Sequence, residues 1–120
     1  MGKDKSANER YELGLKIRDN ERKQEKLGDF KREYGRSIER FNSKMQDLKR
    51  QEDKVLYQSG TSGNKGVINQ LDVNKSVSDR INRFVNSQRE ELEHTCRSVR
   101  RDMEEERERL AKERNRLPWE

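Results

Sequence analysis

The stretch Tyr57-Gln58-Ser59-Gly60-Thr61-Ser62-Gly63-Asn64-Lys65-Gly66 decides the fold. Three glycines, spaced by serine, threonine and asparagine, mark a break in regular structure. The break reads as a mobile Gly/Ser-rich connector over residues 59–75. On its N-terminal side, residues 7–58 hold no proline and many good helix formers. On its C-terminal side, residues 76–117 hold neither proline nor glycine, and Pro118 cannot continue a helix. Two helices are therefore predicted, about 7–58 and about 76–117, followed by a short tail. Ser6 or Asn8 suits the first N-cap. Ser76, with Asp79 three residues on, suits the second. Arms of ~60–80 Å, at ~1.5 Å per residue, are too long for the connector to run back along. The fold class is then all-α: a long, coiled-coil-like antiparallel two-helix hairpin forming a single domain over 1–120.

Apolar spacing supports both arms. Leu13, Ile17, Leu27, Tyr34, Ile38, Phe41, Met45, Leu48 and Val55 follow one alternating four-three pattern, with Asn20, Gln24, Lys31 and Glu52 at the missing steps. Leu92, Cys96, Val99, Met103, Leu110 and Leu117 follow it in the second arm, broken by Glu106 and Glu113. Val77, Ile81, Phe84 and Gln88 lead into Leu92 with one extra four-residue step, a stutter that locally relaxes a supercoil. Such a seam buries one narrow stripe against a neighbouring helix. Four-apart pairs such as Glu93–Arg97, Glu105–Arg109 and Glu108–Lys112 support the helices from outside. Folded about residue 65, the hairpin sets Phe41, Met45 and Leu48 against Ile81, Phe84 and Val85. It sets Asn20 and Gln24 near Glu106 and Glu113. The expected hairpin is firm near the connector and weak at its open end.

Composition bounds the function. The chain has 120 residues, 29 basic and 24 acidic, for a net charge of +5, and 44% of it is charged. Ala, Glu, Lys, Leu and Arg make up 56 residues, close to the half expected of a long helix or coiled coil. A lone cysteine, Cys96, excludes an internal disulfide. His94 and Cys96 are two residues apart and point to different sides of a helix. No phosphate loop, nucleophile set or metal-ligand spacing is present. The chain reads as no enzyme, with no cofactor. The apolar runs are too short to span a membrane, and no signal peptide is expected. Acids are interspersed with bases in both halves, so the Arg100, Arg107 and Arg114 stripe reads as salt-bridging, with nucleic acid the lesser alternative.

So lean a seam is expected to need a partner. Gly14, Gly28 and Gly35 fall at multiples of seven, and glycine inside a helix costs ~1 kcal/mol. The stripe reads as a docking groove for a third helix, against the alternative of three unlinked flexible positions. The only tryptophan, Trp119, would lie near Tyr11 and Leu13, either as an aromatic peg or in a frayed terminus. The partner-binding candidates are Gly14, Gly28 and Gly35, the neighbouring Leu27, Phe30 and Tyr34, and Leu110, Leu117 and Trp119 at the far end.

A small, charged helical hairpin ending in Glu113-Arg114-Asn115-Arg116-Leu117-Pro118-Trp119-Glu120 resembles the LXG-toxin-associated α-helical proteins of Gram-positive type VII secretion. These are similar in shape to the small WXG hairpins. The resemblance covers the whole chain in architecture and the C-terminal ending in sequence. It implies an adaptor, or targeting factor, that binds the helical N-terminal domain of a polymorphic toxin. It also implies a second small hairpin as partner and a cytoplasmic location with co-export. At the turn this chain reads Tyr57-Gln58-Ser59-Gly60 where WXG proteins carry Trp-x-Gly. No Tyr or Phe is followed four residues later by Asp or Glu, so another subunit would supply the export signal. The alternatives are a homodimer or larger structural coiled coil, and a nucleic-acid-binding hairpin.

Overall fold

The computed structural model describes residues 6–58 and 65–118. Among them are two α-helices packed against each other and no strand: α1 (Ala7–Gln58) and α2 (Lys65–Arg116). The structure is an all-α helical hairpin. Ser6 precedes α1, and its carbonyl accepts the Arg10 N–H at 2.9 Å, as an N-cap residue does. Asn8 is already inside the helix. Glu9 complements the positive end of the α1 dipole, and Arg114 and Arg116 complement the negative end of α2. At that end the Leu117 N–H reaches the Arg114 carbonyl at 3.3 Å, and Pro118 follows.

The second helix begins eleven residues before the expected Ser76. The predicted connector therefore shrinks: residues 65–75 are helical, and the rest of it, 59–64, lies outside the described residues. The cause is a four-three spacing that the glycines obscured. Val67, Leu71, Asn74 and Ser78 form one inward stripe, continued by Ile81, Val85, Gln88 and Leu92. Ser76 is consequently an exposed mid-helix residue and not a cap.

The hairpin divides into two compact units, Met1–Arg32 with Glu93–Glu120 (the terminal unit) and Glu33–Leu92 (the central unit). On each helix the division falls at a doubled four-residue step. The inward stripe runs Leu27, Lys31, Gly35 on α1 and Gln88, Leu92, Cys96 on α2. The stutter expected on α2 therefore has a counterpart on α1, where an unbroken heptad was expected.

In the terminal unit, Ile17, Cys96 and Leu110 are buried, with Leu13, Leu27, Val99, Met103 and Leu117 half-buried. Asn20 is buried too. Its Nδ2 donates to the Met103 carbonyl across the pair at 2.8 Å, and its Oδ1 accepts from Gln24 at 2.8 Å. Glu106 and Glu113, the expected neighbours of Asn20 and Gln24, are exposed. Arg10, also buried, donates from Nη1 to the Pro118 carbonyl at 2.8 Å. The expected weak open end is thus tied by a side chain to a backbone carbonyl. Tyr11, the expected neighbour of the tail, is exposed. Lys31–Glu93 (2.9 Å) and Glu21–Arg107 (3.8 Å) pair across the helices. Two of the expected four-apart pairs form, Glu93–Arg97 and Glu108–Lys112.

In the central unit the pairing is again antiparallel, Glu39 with Arg89 and Gln46 with Asn82. Its core is narrow. Ile38 and Val85 are buried, Val85 only 2% exposed, between half-buried Met45, Leu71 and Ile81. Polar Asn42, Lys49, Asn74 and Ser78 also face inward, with Asn74 and Ser78 buried.

Candidate functional site

The central unit has two unlike flanks. One is polar and latched. Arg89 donates from Nε and Nη2 to the two carboxylate oxygens of Glu39 at 2.7 and 2.9 Å, and Gln46 donates to Asn82 at 3.0 Å. The direct hydrogen bonds from Arg89 hold the Glu39 carboxyl below its ordinary value, and the same bonds raise Arg89. A lowered carboxyl stabilises the fold above its unfolded pKa, and that contribution is lost as pH falls through the lowered folded value. An NMR titration of Glu39 is expected to show a midpoint below that of a free glutamate. Glu39→Gln should remove that part of the acid dependence of melting.

The other flank is apolar and open. On α1 it carries Tyr34, Phe41, Leu48 and Val55, each seven residues from the next and 40%, 38%, 55% and 64% exposed. On α2 it carries Val73, Val77 and Phe84, all about half exposed. Phe41 and Phe84 meet edge to face, ring centres 5.9 Å apart, which joins the two rows. Beyond them a groove runs between Leu48 on one wall and Val73 and Val77 on the other, floored by Met45, Ile81 and Ser78. Tyr34 closes the other end of the row, its hydroxyl donating to Gln88 at 3.1 Å.

The rise in exposure from Phe41 to Val55 has a simple cause. A strict heptad slips by ~20° per repeat on a straight helix, because 3.6 residues per turn do not divide seven. Past the stutter, each member of the Tyr34–Val55 row accordingly lies farther from the inward stripe. Phe41, Leu48, Val77 and Phe84, expected at the seam centre, stand on its rim. Val85 and polar Asn74 and Ser78 take the centre.

The candidate residues named from sequence do not gather in one place. Gly28 belongs to the terminal unit and Phe41 to the central unit. Gly28 lies in a charged groove of the terminal unit. There Arg18, Arg22, Arg32, Arg100 and Arg107 alternate with Glu21, Glu25, Asp29 and Glu104. Arg107 pairs with Glu21 and Arg32 with Asp29, so no unbroken basic surface forms on that groove. A side-chain carbon at Gly28 would meet only Arg32 Nη1 at 3.8 Å and Arg100 Nη2 at 4.0 Å. One at Gly35 would meet Leu92 at 3.9 Å, and one at Gly14 nothing within 4 Å. None of the three marks a close backbone approach within the hairpin. Gly28→Ala is therefore expected to raise stability by ~1 kcal/mol, as helix propensity alone dictates, in a urea melt. Leu27 and Leu117 are half-buried and Leu110 buried, within the packing of the terminal unit. Phe30 is half exposed on α1. Trp119 lies outside the described residues. Sequence reasoning missed Val73 and gave Val77 an inward position; the signal for both is their place beside Asn74 and Ser78.

Among the described residues, no group of His, Cys, Asp or Glu could hold a metal ion. Cys96 is buried, as its place on the seam foretold. No helix is long and apolar enough to cross a membrane. In comparisons with known proteins, no family model, curated protein or solved structure matches the chain.

Proposed function

We propose that this hairpin is a non-catalytic adaptor that packs its central unit against a helix of a larger protein. The observation that carries this reading is the open apolar flank. Seven half-exposed apolar side chains form two rows on one side, heptad-spaced on α1 and four and seven residues apart on α2, while the opposite side is closed by polar bonds. Two antiparallel helices with one such face are two-thirds of a three-helix bundle, and burying the rows supplies the free energy of association. The proposed client is the helical N-terminal domain of an LXG-type toxin bound for type VII secretion. The C-terminal ending Glu113–Glu120 and the hairpin architecture support that choice. A second small hairpin would bring the export signal.

Co-expression with such a toxin domain tests the proposal, read by the mass of the purified complex. A stoichiometric complex is expected for the wild type. It should be lost with Leu48→Asp on the apolar flank and kept with Gly28→Leu on the charged groove. A complex indifferent to Leu48→Asp would move the contact elsewhere. No complex would remove the client.

A further inference from the structure

We infer that the occupant of the apolar flank is an amphipathic helix of another protein whose apolar stripe is bordered by acids on both sides. The inference rests on reading that flank as a helix-binding face. The heptad of Tyr34, Phe41, Leu48 and Val55 specifies a helix as the occupant: a strict seven-residue repeat stays on one line only when two helices wind around each other. The charges specify its borders. Lys44 lies three residues after Phe41 and four before Leu48. Arg80 lies three after Val77 and four before Phe84. Each therefore stands on the outer edge of its row, one on either side of the face. Both are exposed, and among the described residues neither takes part in an ion pair. Within the groove itself Lys49 and Glu52 offset each other, and the exposed Glu91, seven residues after Phe84, lies toward the Tyr34 end, so beside the groove the two rims set the sign. A helix seated between the rims meets a cation on both sides. A second copy of this chain would bring its own Lys44 and Arg80 to the same rims, and like charges across an interface are unfavourable.

The test uses the full chain and three synthetic four-heptad peptides with leucine at both core positions. Their flanking positions are all glutamate, all lysine or all glutamine, and binding is read by fluorescence anisotropy at low salt. The glutamate peptide is expected to bind at least about tenfold tighter than the lysine peptide, with the gap narrowing as salt is added. Lys44→Glu combined with Arg80→Glu should reverse the order. Equal binding of all three peptides, lost in Leu48→Asp, would overturn the acidic borders and leave the helix-binding face standing. Binding of no peptide would overturn the face as well, whatever the toxin domain does. A homodimer in sedimentation equilibrium that Leu48→Asp dissociates would make a second copy the occupant and overturn the inference.

Discussion

Val85→Asp is expected to abolish the pairing of the central unit, whereas Phe84→Asp, one residue earlier, leaves the hairpin folded and removes partner binding. Val85 is the most enclosed side chain of that unit, and an aspartate there would lose its apolar contacts and strand a carboxylate without a partner. The cost is about 3–5 kcal/mol, more than a lean two-helix core can absorb. Amide exchange across 33–92 should then become fast. Phe84 is half exposed, and its loss removes one edge-to-face contact with Phe41, about 1 kcal/mol. Helix content and exchange should stay near wild type in that variant while affinity for the proposed helical partner collapses. A reversed result, with Phe84→Asp unfolding the unit, would restore the seam as the unbroken heptad drew it.

That contrast also shows how far the sequence could be read. The α1 limits, the antiparallel pairing and the meeting of Phe41 with Phe84 follow from proline, glycine and apolar spacing. The inward face of the central unit does not. Read as letters, Phe41, Leu48, Val77 and Phe84 outrank Asn42, Lys49, Asn74 and Ser78 as core residues, and a heptad count has no reason to prefer the polar set. The preference comes from the stutters. Once Lys31 is followed by Gly35 and Leu92 by Cys96 on the inward side, the stripe turns toward the polar positions. The α1 heptad then drifts outward by ~20° per repeat. The glycine stripe is likewise only half legible. Spacing by seven places Gly14, Gly28 and Gly35 on one line but cannot say what faces them. In the structure they face charged side chains, Leu92 or open space. At the open end, polar seam residues were counted as weak. Asn20 and Arg10 instead find backbone carbonyls, and a satisfied buried polar group costs little.

Asn74 is the exception to that last rule, and it carries the second large effect. It is buried, and it lines the groove. Its Oδ1 accepts from Gln70 at 2.9 Å, but its Nδ2 has no hydrogen-bond partner among the described residues. An unsatisfied buried donor costs about 1–3 kcal/mol, so Asn74→Leu should stabilise the isolated hairpin by roughly that amount in a urea melt. A polar residue at a core position is a known device for fixing register and partner number at the expense of stability. If Asn74 serves that end, the stabilised variant should lose selectivity. It should pair with itself or with lysine-bordered peptides that the wild type rejects. If it serves no such end, Asn74→Leu should raise stability and leave every affinity as it was. The two outcomes separate a tolerated defect from a specificity element. The location favours the second, because Asn74 lines the same groove as Leu48, Val73 and Val77, where an incoming helix would set its register.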